Sequence, residues 1–201
     1  MIPRNLPAGT TLRSFIEELL PADHAANVPR DAGDARVCVQ LRGGPSFALV
    51  ASGDRLTVTE TPRVEAAPLL LGVDEATAQL FLDDWMGPKR LAPSFEPRVI
   101  ASITDPRLIR RVAAIKGVIS LTLEEFEGRD ATLLVAAGPD ASLYDDPEAS
   151  IRIRLPAFQQ ILAGKIGPDE AIADGHVTLK GKKLVAMQFA LALVPYFPPR
   201  E

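Results

Sequence analysis

Several residue types are scarce in this chain of 201 residues, and each scarcity narrows what it does. Cysteine occurs once, so no intramolecular disulfide forms and no cysteine-based metal site exists. That residue, Cys38, lies in the alternating run Val37-Cys38-Val39-Gln40-Leu41, where it reads as a small buried hydrophobe and not as a nucleophile. Histidine occurs twice, as His24 and His176, far apart and outside any metal-binding spacing such as His-Glu-x-x-His. His176, beside Gly175 at the start of a strand, reads as a surface or edge residue. There is no Gly-x-Ser-x-Gly elbow, phosphate loop or dinucleotide glycine pattern. Lysine and arginine number 22 against 26 acids, and the formal net charge of -4 argues against a general nucleic-acid binder. The longest apolar run, 184–194, is interrupted by Gln188 and is too short to span a bilayer. The first residues lack the apolar stretch of a secretion signal. The expectation is a soluble, cytoplasmic, non-enzymatic protein without metal or cofactor.

What is present is the composition of a folded protein, 47% hydrophobic and 24% charged. Aromatics make up only 5%, so the core must be built from Leu, Ile, Val and Ala. The two halves echo each other. Val37–Leu41 and Gly117–Leu121 both read as strands 80 positions apart (37 to 117), and Leu71-Gly72-Val73 matches Ile151-Arg152-Ile153 at the same offset. Gly87-Pro88 and Gly167-Pro168 repeat it again, while Val50–Gly53 matches Val135–Gly138 at 85 (50 to 135). One offset recurring at three places points to an internal duplication, with loops of unequal length between the anchors.

Periodicity predicts a helix over 12–20, strands at 36–41, 46–51, 55–60 and 68–73, and a helix over 75–85 with Asp74 as N-cap. Ala78, Phe81, Leu82 and Trp85 form its inward face. A strand at 98–103 and a helix at 106–115 close the first half. The second half has strands at 117–124, 131–136 and 149–154, with an acidic loop over 138–148. Helices at 156–163 and 168–172, a strand at 177–180 and a final helix at 182–194 follow. The fold class is α+β: two tandem units, residues 1–115 and 116–201, each an antiparallel or mixed sheet covered on one face by helices.

The run Gly164-Lys165-Ile166-Gly167-Pro168-Asp169-Glu170-Ala171, followed by Gly175-His176-Val177-Thr178-Leu179-Lys180-Gly181, resembles the C-terminal signature of the sterol carrier protein 2 family. In that pattern a Gly-Lys pair closes one helix, a proline opens a short helix, and two glycines bracket a strand. Each residue also has a local reason. Gly164 and Gly175 permit the positive φ at which a helix stops sharply, and Pro168 presets φ where an N–H would be orphaned. The first half departs from the signature: Asp83-Asp84-Trp85-Met86 replaces the Gly-Lys end, and Pro88 is followed by Lys89-Arg90-Leu91. The second unit is therefore the one expected to keep a cavity.

The resemblance implies an apolar tunnel between sheet and helices that holds a fatty acid, acyl thioester, sterol or isoprenoid. By that analogy Phe158, Ile161, Leu162, Leu184, Met187, Gln188 and Leu191 line it. The bare chemistry adds that the final helix is apolar all round and must be covered on more than one side, by core, partner or ligand. The pairs Asp83-Asp84 and Asp145-Asp146 point apart along the chain and read as solvated acids. Lys180-Gly181-Lys182-Lys183, and Arg107, Arg110, Arg111 and Lys116, read as ordinary solvated charge. The partners expected are a hydrophobic small molecule and no nucleic acid, with transient contact to a membrane surface and a homodimer left open. The competing reading is a scaffold or dimerisation module with the tunnel closed. A lipid-thioester enzyme would need a nucleophile that the sequence does not display.

Overall fold

A computed structural model describes residues 10–62, 67–85, 103–126, 128–140 and 142–193, and at six positions (80, 81, 83–85 and 162) it describes the backbone alone. Eight strands form one open mixed sheet. They are β1 (Asp34–Arg42), β2 (Ser46–Ser52), β3 (Arg55–Thr61), β4 (Leu69–Asp74), β5 (Gly117–Phe126), β6 (Arg129–Ala137), β7 (Ala149–Arg154) and β8 (Val177–Gly181). Their order is β3-β2-β1-β4-β6-β5-β7-β8. The helices are α1 (Leu12–Ser14), a π turn (Phe15–Leu19), α2 (Leu20–Asn27), α3 (Glu75–Trp85), α4 (Pro106–Ala113), α5 (Leu155–Leu162), α6 (Pro168–Ala173) and α7 (Lys183–Leu193).

The α+β class and nearly every expected element hold. The strand expected at 98–103 falls largely outside the described residues, as do the side chains of Phe81 and Trp85. The leading helix is longer than its apolar period predicts, continuing past Pro21 to Asn27. A π turn makes this feasible: the Leu20 amide bonds back to the Phe15 carbonyl. Pro21 then falls in the first turn of α2, where its missing N–H costs nothing. Asp74 caps α3, accepting the Thr77 amide at 2.7 Å. Asp105 caps α4, accepting from the Arg107 amide at 2.8 Å ahead of Pro106. Such a cap contributes about 1 kcal/mol.

The halves do not build separate sheets. Antiparallel pairing of β4 with β6, from Leu69↔Ala137 to Val73↔Leu133, joins them. On either side of that seam the ladders have the same pattern. β1 pairs antiparallel with β2 and parallel with β4, and β5 pairs antiparallel with β6 and parallel with β7. Val37 faces Leu49 and Leu69, as Ile119 faces Val135 and Ala149. The matching positions are therefore offset by 82 (37 to 119), 86 (49 to 135) and 80 (69 to 149). The β1–β5 offset of 80 read from the sequence slips by two residues. A two-residue slip keeps every side chain on its own face, so the apolar pattern alone does not register it.

Because side chains alternate along a strand, one face of the sheet carries the odd-numbered residues of β1, β2, β4, β5, β6 and β7. Val37, Leu41, Phe47, Leu49, Leu69, Ile119, Val135 and Ala149 are buried there under Leu12, Phe15, Ile16, Leu20, Ile109, Ala186 and Phe189 from the helices. The helices thus cover one face. Across the other face folds the loop between β6 and β7, whose Leu143 is buried with Cys38, Leu70, Leu134 and Ala136. Gly72 admits that leucine: a Cβ at Gly72 would stand 3.1 Å from Leu143 Cδ2.

Candidate ligand groove

The signature turns position the helices of the second half. At the end of α5, Gly164 takes φ +69°, its amide bonds to the Ile161 carbonyl, and the Lys165 amide bonds to that of Gln160. Gly175 does the same after α6 with φ +72°, its amide reaching Ile172 and the His176 amide reaching Ala171. These are two successive Schellman endings, which satisfy the last carbonyls and turn the chain sharply back to the sheet. Gly181 (φ +74°) then passes so close to β7 that an added Cβ would lie 2.2 Å from the Glu148 carbonyl oxygen. The result sets α5 and α7 at different levels along β5 and β7.

Beneath these helices runs one transverse row of aligned side chains. Val73 of β4 faces Leu133 of β6, which faces Leu121 of β5, then Ile151 of β7, then Leu179 of β8. All five are hydrocarbon and all five are half-buried. On one side of the row, Ile119, Val135 and Ala149 are sealed with Ala186 and Phe189 of α7. On the other side Phe158 of α5 packs on Leu123, Phe126 and Ala131, and Ile161 clusters with Ala171 and Val177. Ile151 and Leu179 touch both groups. All five pack against the main core, and four strand spacings of about 4.8 Å make the row roughly 19 Å long.

The residues expected to line a tunnel do not converge. Phe158, half-buried, and Ile161, buried, flank the floor row. Leu162 has its side chain outside the described residues. Leu184, Met187 and Leu191 are 69%, 50% and 65% exposed, and Gln188 is exposed beside them. These four face away from the sheet. The reason is helical phase: α7 seats Ala186 and Phe189 on the sheet, which turns positions 184, 187, 188 and 191 outward. The row residues are not among those that the resemblance implies. Their signal was the alternation Ile119, Leu121, Leu123 along β5 and Leu133, Val135, Ala137 along β6.

The polar groups nearby are accounted for. A cleft of about 230 Å³ opens between Lys116, Asp140, Asp145, Asp146 and Glu148, and none of the seven expected residues borders it. Lys182 is held by Glu148 at 2.7 Å. Arg107 is paired with Asp105, and Arg110 donates to the carbonyls of Ala32 and Asp34, so these arginines brace the fold. On the sheet face away from the helices Arg152 bridges Glu124 at 2.8 Å and Asp130 at 2.6 Å; the Glu124 bond, then the Asp130 bond, raise its pKa. Burial pushes the Cys38 thiol up, which keeps it protonated and inert. His176 is exposed. His24 is fully buried, 2.8 Å from Thr104 Oγ1 through Nδ1 and 3.0 Å from the Gly53 carbonyl through Nε2. Among the described residues no three His, Cys, Asp or Glu side chains gather as a metal site, and no helix is long and apolar enough to cross a membrane.

An open eight-stranded mixed sheet with helices on one face defines the class as α+β. Within it, residues 98–194 match the SCP-2 sterol transfer family, and the resemblance carried by the C-terminal turns holds over that stretch. Among solved structures the chain is similar to sterol carrier protein 2 from Yarrowia lipolytica in its apo form, at 18% identity and a TM-score of 0.36 over 46% of this chain and 80% of that one. It is similar to sterol carrier protein 2 like 2 from Aedes aegypti at 16% identity and a TM-score of 0.31, over 46% and 97% of the two chains. The UbiJ-SCP2 ubiquinone synthesis protein matches over 92% of this chain and 84% of its own, at 8% identity and a TM-score of 0.22. No curated protein matches the chain.

Proposed function

We propose that this protein binds and carries a hydrophobic small molecule, of the fatty acid, acyl thioester, sterol or isoprenoid kind, on the apolar floor between α5 and α7. The observation that carries this reading is the row Val73, Leu133, Leu121, Ile151 and Leu179: five aligned hydrocarbon side chains on five adjacent strands, each only partly buried. Covering such a row with a ligand chain stabilises the complex by about 0.8 kcal/mol for each methylene removed from water. The match to a sterol transfer family supports the same chemistry. Phe158 and Ile161 supply the adjoining wall. No covalent step is involved, since the floor offers no nucleophile, acid or base. The two halves, 1–115 and 116–201, we read as copies of one unit, on the strength of their matching ladders.

Native mass spectrometry of protein purified from cells tests the carrier reading, together with displacement of a fluorescent fatty acid. A co-purifying lipid and saturable displacement are expected. A bare protein mass with no displacement removes the reading and leaves the scaffold alternative, which the exposed outer face of α7 favours.

A further inference from the structure

Seven large hydrophobic side chains stand exposed among the described residues, and three of them share one strip of α7. Leu184, Met187 and Leu191 are each half-exposed or more, and Gln188 lies exposed between them. Their spacing is i, i+3, i+4 and i+7, the seam by which one helix packs along another. At about 100° per residue the four span an arc of about 100°, opposite the buried Ala186 and Phe189. The seam also reads alike in both directions about a point between 187 and 188. Either way it offers a leucine, two long unbranched side chains and a leucine. A surface with that symmetry is complementary to itself.

We propose that this strip is the contact of a homodimer, in which two copies of α7 pack antiparallel about a two-fold axis at residues 187 and 188. Leu184 of one copy then meets Leu191 of the other, and Met187 meets Gln188. Charge fixes the direction. The helix, KLVAMQFALAL, carries no acid, and its one charge is Lys183 at the amino end. In the antiparallel pair Lys183 falls opposite Ala192 of the other copy, beside the last-turn carbonyls that form the negative pole of that helix. A parallel pair would set the two lysines side by side and align the two dipoles, and both arrangements repel. From 184 to 191 the seam is about 10.5 Å long, so it covers far less than the roughly 800 Å² per partner of a standard interface. The dimer is therefore weak and reversible. It does not depend on the carrier reading, because α7 turns its opposite side to the sheet.

Sedimentation equilibrium of the full chain over about 5–500 µM, the range in which a small interface assembles, tests the pairing. A mass that climbs towards two chains is expected, and Leu191→Asp should weaken the association at least about tenfold. Cysteine substitution reads the direction, because the native Cys38 is buried and does not cross-link. Leu184→Cys mixed with Leu191→Cys should form an interchain disulfide under mild oxidation. Either variant alone should not, since like positions lie about 10.5 Å apart along the axis. Both positions are exposed, so the variants should unfold at the wild-type midpoint. A chain that stays monomeric to about 500 µM overturns the proposal, and loss of vesicle binding in Leu191→Asp would then give the face to a bilayer. A disulfide formed by Leu184→Cys alone overturns the antiparallel arrangement, and a dimer that Leu191→Asp leaves intact overturns the choice of face.

Discussion

Set side by side, the two half-sheets share a ladder and differ in how its middle is filled. In the first half Val39 lies between Phe47 and Leu71; in the second Leu121 lies between Leu133 and Ile151 in the same relation. Phe47 is completely buried, while Leu133 at the matching place is half-buried, and the second row runs on to Leu179. An aromatic ring is fully buried in one half where the other has a leucine in partial contact with water. The ladder pattern is thus shared by the two halves while the burial at this one place differs.

The largest expected effect breaks the closed side. Phe47→Ala removes a fully buried ring and should cost about 3–5 kcal/mol in urea unfolding, whereas Leu133→Ala, already partly wet, should cost only about 1 kcal/mol. Equal losses would mean that the two places are not differently packed. Next is Gly181→Ala, which forces a side chain into a left-handed φ and against the Glu148 carbonyl; a loss of at least about 2 kcal/mol is expected from the same measurement. Leu133→Phe then transplants the first half's residue into the second. It should lower affinity for a fluorescent fatty acid about tenfold while shifting stability by no more than about 1 kcal/mol, as a tolerated core enlargement does. Undiminished binding would place the guest elsewhere.

The smallest effect concerns pH and belongs to the first half alone. Burial lowers the pKa of His24 below its ordinary 6.5, against the raising influences of the Gly53 carbonyl and of Asp105, Asp54 and Asp23. The folded form therefore holds the imidazole neutral where the unfolded chain would protonate it. Its contribution to stability is complete above about pH 6.5 and is lost as the pH falls from there through the lowered value. Unfolding midpoints followed from neutral to mildly acidic pH should show that decline, and His24→Gln should flatten it.

Elements set by local chemistry were legible in the chain. Gly164, Pro168, Gly175 and Gly181 announce two helix ends, a helix start and a reversal, and Asp74 announces a cap, because each acts on its own neighbours. Strand positions followed from alternation for the same reason. What was not legible involves partners distant in sequence. Nothing near Leu69 marks Ala137 as its neighbour, so the joining of the halves into one sheet was hidden. The phase of α7 was hidden too, since a helix apolar on every side does not say which side it buries. The apolar pattern therefore gives Leu184, Met187 and Leu191 no outward mark, and it gives the row Val73, Leu133, Leu121, Ile151 and Leu179 no mark beyond that of core strands.

The seam between β4 and β6 bears on how the molecule can be divided. Each half finishes its sheet only by borrowing a strand from the other, so the chain comes apart at 115/116 at the cost of two raw edges, β4 and β6. A fragment carrying either would offer unpaired amides and carbonyls along an apolar strand, the template on which chains stack into aggregates. Each half thus acts as the other's chaperone, and a truncated product is expected to be insoluble even though its own hydrophobic pattern is intact.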